Sequence, residues 1–227
     1  RHTNAFCATR SCKFETLRAL QRLARRGDWM LSFDLKDAYH NVGVHPQSRR
    51  YMTFSLPPAP GESTPRVMRC AALPFGWAMS PYIFTKTTRV LVRLLRSPVA
   101  PSLARLQRSA AAGRALVLRL SRRGRRSPSL SGMRLLPYVD DFLVVAASHT
   151  EALQCRERVT ETLEFLGLTR HEDKGWWHPT QQLEHLGLAI DTQAGLFRVP
   201  PLKLAALQRQ AREVLGLATR EARLVPW

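Results

Sequence analysis

Apolar residues recur along this chain in two rhythms, and the switches between them mark out its elements. Over residues 14–26, Phe14, Leu17, Leu20, Leu23 and Ala24 fall at helical spacing with arginines between them, which predicts an amphipathic helix ended by Gly27 and Asp28. Residues 29–35 form a short apolar run of β character that closes on Asp34, and a new element begins over 37–40. Residues 51–56 predict a strand, residues 57–65, with four prolines and a glycine, a loop, and residues 67–73 a returning strand. Pro81 stands where a first helical turn tolerates proline, and Ile83, Phe84, Thr87, Val90, Leu91 and Leu94 carry an apolar face from Ser80 until shortly before Pro98. Apolar runs over 135–139 and 142–147 flank Asp140 and Asp141, predicting a hairpin with both acids at its turn. Residues 151–166 predict a helix stopped by Gly167, residues 183–190 a strand, and residues 200–217 a leucine-rich helix opened by prolines.

Composition narrows the class. The 227 residues suit one large domain, or one and part of a second, and a hydrophobic fraction of 44% is ordinary for a globular chain. No apolar run approaches the ~18 residues that span a bilayer, so a soluble protein is expected. The first ten residues hold neither a secretory signal nor an initiator Met, and the sequence is expected to begin within a longer protein. Cys7, Cys12, Cys70 and Cys155 form no C-x-x-C pair and the histidines lack zinc-finger spacing, so a reduced intracellular chain without structural zinc is expected. The net charge is +18, as a protein that neutralises backbone phosphates needs, but charge alone names no chemistry. Twelve of the arginines lie between positions 89 and 134, where there is no lysine and no acid.

The acids change the picture. An Asp-Asp pair in a turn is commonly just solvated. Asp34, however, lies 106 positions before Asp140 and also ends an apolar strand, so the strand ends can converge on one sheet. Three carboxylates within ~4 Å would repel by a few kcal/mol per pair at an effective dielectric near ~20, and divalent cations between them relieve that. Oxygen-only ligands favour Mg²⁺ or Mn²⁺, and two such ions clamp the attacking and leaving oxygens of an in-line phosphoryl displacement.

Several strings now carry a resemblance. Tyr138-Val139-Asp140-Asp141 resembles the YxDD box of reverse transcriptases, and Phe33-Asp34-Leu35-Lys36-Asp37-Ala38-Tyr39 resembles their first catalytic motif. Leu73-Pro74-Phe75-Gly76-Trp77-Ala78-Met79-Ser80-Pro81, followed by Phe84, is similar to the motif lying under template and incoming nucleotide. Gly167-Leu168 with Glu172, Asp173 and Lys174, then Leu183-Glu184-His185-Leu186-Gly187, are similar to the motif D lysine and the primer grip. The resemblance covers roughly residues 13–96 and 132–216, and Phe14-Glu15-Thr16-Leu17, Gly27-Asp28-Trp29 and Phe84-Thr85-Lys86 suggest the LTR-type, DIRS-like branch that encodes a tyrosine recombinase.

The resemblance implies an α+β palm, an antiparallel sheet backed by helices. Residues 1–28 would be a remnant of the fingers, 29–97 and 132–192 the palm, 98–131 an insertion and 193–227 the start of a thumb. Asp34, Asp140 and Asp141, with the Leu35 carbonyl, would bind two Mg²⁺ or Mn²⁺ ions. The amides of Lys36, Asp37, Ala38 and Tyr39 would face a triphosphate, and the Tyr39 ring would exclude a ribose 2′-hydroxyl. Phe75, Gly76 and Met79 would shape the nucleotide pocket, and Lys174 would give a proton to the departing pyrophosphate. The partners implied are dNTPs and an RNA or DNA template with its primer. His171, His178 and His185, seven apart, cross from a loop into a strand and are not expected to share a metal; Trp176 and Trp177 are expected to pack rather than stack on bases. Residues 98–131, built of Arg, Ser, Ala, Leu and Pro, are expected to be a disordered loop or translated non-coding sequence. The rival readings are an inactive nucleic-acid-binding remnant and an RNA-templated RNA polymerase, the latter disfavoured by Tyr39 and Tyr138-Val139-Asp140-Asp141.

Overall fold

At the centre of the fold is a three-stranded antiparallel sheet that joins one strand from the early part of the chain to two consecutive strands from its middle. The structure, a computed structural model, describes residues 2–7, 10–12, 14–97 and 133–218; the Arg-rich segment 98–131 lies outside the described residues. After α1 (His2–Ala5) and α2 (Leu17–Leu23), strand β1 (Trp29–Asp34) leads to two 3₁₀ turns, Ala38–Asn41 and Pro46–Tyr51. The hairpin β2 (Thr53–Leu56) and β3 (Arg66–Arg69) and the long helix α3 (Ser80–Arg96) follow. Then come β4 (Arg134–Tyr138), β5 (Asp141–Ala146), α4 (His149–Leu166), β6 (Gln182–His185), β7 (Leu188–Asp191), β8 (Leu196–Arg198) and α5 (Pro201–Ala218). The central sheet runs β1-β5-β4, with β2-β3 and β6-β7-β8 as separate sheets.

Both faces of the central sheet are covered, which is why its strands read as nearly unbroken apolar runs. On one face Leu31, Phe33, Phe142, Val144 and Leu135 pack with Phe84, Leu91 and Leu95 of α3 and Ala152, Val159 and Leu163 of α4. Phe33 stacks on its cross-strand partner Phe142 with ring centroids 4.8 Å apart. On the other face Met30, Leu136, Leu143 and Val145 meet Leu20 of α2 and Leu183 and Ile190 of the β6-β7 hairpin. The β2-β3 hairpin stands apart, with Phe54, Val67 and Met68 exposed.

Several predicted bounds shift for physical reasons. The first helix covers only Leu17–Leu23, because Phe14 packs on Tyr138 instead, at 5.5 Å between rings. Its end is fixed by Asp28, which is buried, accepts from the Arg25 amide at 2.7 Å and pairs with Arg134 at 2.6 Å. The strand expected over 183–190 is two strands, since Leu186 (φ 47°) and Gly187 (φ 79°) both turn left-handed and reverse the chain, as a tight hairpin requires. The strand expected over 67–73 stops at Arg69, and that over 51–56 begins at Thr53 because Tyr51 closes a 3₁₀ turn. α4 starts at His149, earlier than expected, because the Ser148 hydroxyl accepts from the Glu151 amide and caps it. Among the described residues no helix is long and apolar enough to cross a membrane.

Candidate active site

Strand pairing brings the acids together. Asp34 is the last residue of β1 and Asp141 the first of β5, and the register sets them directly opposite. Asp140 fills the turn between β4 and β5, and its carbonyl accepts from the Leu35 amide at 3.1 Å. The turn is tight enough to hold Val139 at φ 58°, a region that β-branched residues rarely adopt. Its side chain packs against the core, which holds the strained conformation in place.

The electrostatics follow from that crowding. Asp34 is buried; its Oδ2 lies 3.1 Å from Lys174 Nζ, and its Oδ1 has no hydrogen-bond partner among the described residues. Burial, then the charges of Asp34 and Asp140, push Asp141 up to about 6, against the pull of Lys174. Burial also raises Asp140, opposed by a backbone hydrogen bond and assisted by Asp34. Lys174 is raised by its hydrogen bond to Asp34 and by that carboxylate's charge. Among the described residues no three His, Cys, Asp or Glu side chains are gathered as a ready metal-binding group. Among the described residues, Lys174 is the cation that the acids face.

Lys174 arrives there because residues 169–180 zip along the outer edge of β1. The Lys36 amide donates to the Thr169 carbonyl at 2.9 Å, and the His171 amide to the Asp34 carbonyl at 2.8 Å. Ser32 exchanges two bonds with Trp176: its amide donates to the Trp176 carbonyl at 2.8 Å and its hydroxyl accepts from the Trp176 amide at 2.9 Å. Gly175 lies so close to the strand that a Cβ there would sit 2.5 Å from the Ser32 carbonyl oxygen. Sequence reasoning missed Ser32 and Gly175; the one available signal was a lone serine inside an apolar strand.

The nucleotide-side residues gather next to the acids. Leu35 and Ala38 are buried, Lys36 and Asp37 exposed, and Tyr39 is half-buried. Burial, then the charge of Asp140, raises the Tyr39 hydroxyl. Pairing of Val42 and Val44 with Leu73 and Ala71 brings the 73–79 loop alongside, so that Phe75 lies 5.0 Å from Tyr39 between ring centroids, with Phe84 5.2 Å away on another side. Phe75 and Gly76 are exposed, and half-buried Met79 stands at the N-cap of α3. Next to Phe75 opens a cavity of about 690 Å³, lined among others by His40, Tyr51, Phe54, Arg69 and Trp77.

The remaining candidates stay apart from this cluster. His185 is buried on the far side of the sheet with Nε2 unpartnered, and burial lowers it to about 4. Trp177 packs edge-on against Phe33 at 5.9 Å, as expected, whereas Trp176 is 51% exposed. All four cysteines are thiols.

Comparison with known proteins adds three findings. The family model described as "Reverse transcriptase (RNA-dependent DNA polymerase)" matches residues 2–190. The Gag-Pol polyproteins of Rous sarcoma virus subgroup B (strain Schmidt-Ruppin) and avian leukosis virus subgroup A (isolate RSA) are each 30% identical over 204 residues, covering 86% of this chain and 11% of the polyprotein. The chain thus spans about a tenth of the length of these curated relatives. A foamy viral protease-reverse transcriptase solved in complex with double-stranded DNA superposes with a TM-score of 0.65 over 98% of this chain and 32% of that one, at 16% identity, a likeness of fold.

Proposed function

We propose that this chain, which belongs to the reverse transcriptase family, is the palm of an RNA-directed DNA polymerase that transfers a nucleotide from a dNTP to the 3′-hydroxyl of a primer paired with an RNA or DNA template. The observation that carries the reading is the register of β1 against β5, which sets Asp34 opposite Asp141 with Asp140 beside them. The finer placement in the DIRS-like branch of retrotransposons rests on Phe14-Glu15-Thr16-Leu17, Gly27-Asp28-Trp29 and Phe84-Thr85-Lys86. An intracellular setting fits such an element. So does a division in which residues 1–28 belong to the fingers and residues from 193 onward begin the thumb.

Among the described residues the acids are not gathered as a ready-made site, but their donor chemistry suits a divalent cation. A buried carboxylate oxygen of Asp34 without a partner and two neighbouring carboxylates driven up in pKa form an all-oxygen donor set in want of positive charge. Asp34, Asp140, Asp141 and the Leu35 carbonyl would hold two Mg²⁺ or Mn²⁺ ions. When bound, such ions neutralise phosphate charge and lower the pKa of the attacking hydroxyl. The chain's own residues do the rest. Tyr39 occupies the space beside a deoxyribose that a 2′-hydroxyl would need. Phe75, Gly76 and Met79 wall the nucleotide, and the amides of Asp37, Ala38 and Tyr39 face its triphosphate, that of Lys36 being committed to Thr169. Lys174, whose ammonium lies against Asp34, would give a proton to the departing pyrophosphate.

Primer extension with Mg²⁺ tests this. Asp34→Asn and Asp141→Asn should each cut extension by about three orders of magnitude. Duplex binding, followed by fluorescence anisotropy, should stay within about twofold, because phosphate contacts and not the acids supply affinity. Mn²⁺ binding, read by electron paramagnetic resonance, should fall in the same variants. Substantial extension by the Asp34→Asn protein would sink the assignment.

A further inference from the structure

Asn4 lies some thirty residues before Asp34, yet both ends of its carboxamide are committed to a single loop. Its Nδ2 donates to the Gly76 carbonyl at 2.8 Å, and its Oδ1 accepts from the Ala78 amide at 2.9 Å. A side chain that bonds the carbonyl of one residue and the amide of the next but one imitates a neighbouring β-strand, so it fixes the loop backbone in two directions. The Cys7 sulfur adds a third tie, accepting from Trp77 Nε1 at 3.2 Å. From the far side Ser80 closes the same loop, its hydroxyl donating to the Pro74 carbonyl at 2.7 Å and its amide to the Trp77 carbonyl at 3.0 Å.

The loop carries the Phe75 ring. That ring is 72% exposed, so packing does little to hold it, and its direction is inherited from the backbone that follows. It faces Tyr39 and meets His40 edge-on at 5.5 Å. A shift in the Gly76 to Ala78 backbone therefore moves the Phe75 ring against Tyr39.

We propose that Asn4 is a positioning residue for the incoming nucleotide, acting through the Gly76 and Ala78 backbone on the Phe75 ring. This rests on the polymerase reading above.

The test uses the full chain with Asn4→Ala and Asn4→Asp, the latter keeping the acceptor for Ala78 and losing the donor to Gly76. Asn4→Ala should raise KM for dNTP about tenfold with kcat within about twofold, and Asn4→Asp, whose second oxygen would face the Gly76 carbonyl, should do so at least as much. Affinity for template and primer should not change. Amide exchange over residues 74–80 should quicken in Asn4→Ala. If Asn4 acts through the ring, Asn4→Ala combined with Phe75→Ala should be no worse than Phe75→Ala alone. An additive double variant, an unchanged KM, or a joint fall of kcat, template affinity and melting temperature would each overturn the inference. A wild type that extends no primer overturns the polymerase reading and this inference with it. An active wild type whose dNTP KM is untouched by Asn4→Ala overturns the inference alone.

Discussion

Asp141 bears the cost of the site. Its pKa is about 6 in the fold, against 3.8 as the ordinary value, because it is half-buried beside two other acids. An acid that binds its proton more tightly in the fold disfavours folding once ionised: the penalty is absent well below pH 4, grows as pH rises through about 6, and is complete above that. The rise corresponds to about 3 kcal/mol at most, which solvent screening of a half-exposed group reduces to about 1 kcal/mol. The Asp141→Asn protein should therefore be more stable than wild type at pH 8 by about 1 kcal/mol in urea unfolding without divalent cations, and the gain should vanish by pH 4. Equal stabilities at pH 8 would show that the carboxylates do not burden the fold. The same substitution should remove extension, so stability and chemistry oppose each other at one residue. The acids were legible in the sequence because they end or begin apolar runs and sit in recognisable strings. Val139 was not, since nothing in Tyr138-Val139-Asp140-Asp141 announces a left-handed valine. Asn4 was not either, because a lone asparagine near the start of a chain carries no pattern.

Among the elements, the segment over residues 169–180 determines where Lys174 stands, and its fit depends on Gly175. With φ at 78° and the Ser32 carbonyl oxygen 2.5 Å from a would-be Cβ, alanine there meets both backbone strain and a collision with main chain that has little freedom to yield. Gly175→Ala should cost at least about 2 kcal/mol and speed amide exchange in both the 170–177 segment and β1. Ser32→Ala, which leaves the strand unobstructed but leaves the Trp176 amide without its hydroxyl acceptor, should cost about 1 kcal/mol. If Gly175→Ala is neutral, the segment is not held to β1 as described. Element types were legible where periodicity was long, as in α3 and α4, whose buried faces follow helical spacing. They were misread where a turn hid inside an apolar run, as at Leu186 and Gly187, and the short β8 gave too few residues to show any period.

Across the whole molecule, the pairing of β1 with β5 joins residues more than a hundred apart, which no local pattern can specify; only the convergence of acids hinted at it. The same long-range organisation bears on residues 98–131, which lie outside the described residues and carry eight arginines and no acid. The elements on either side are fixed by contacts that do not pass through that segment. Arg158 of α4 donates to the Leu94 and Ser97 carbonyls at the end of α3. Arg96 reaches the Leu135 carbonyl at 2.7 Å, which sets the end of α3 against the start of β4, and Met133 is buried in the core. A short glycine-serine linker should therefore replace residues 98–131 without loss of fold. Closing a connection shorter by that many residues favours the fold by at most about 2 kcal/mol. The shortened protein should melt at the same temperature as wild type or higher and keep its extension rate at low salt. Each arginine that touches phosphate in the intact chain steepens the fall of log K with log salt by ~0.9 on duplex and ~0.7 on single strands, so the shortened protein should bind nucleic acid more weakly and with a shallower slope. Unfolding of the shortened protein, or loss of extension at low salt, where missing phosphate contacts matter least, would show instead that residues 98–131 belong to the working structure.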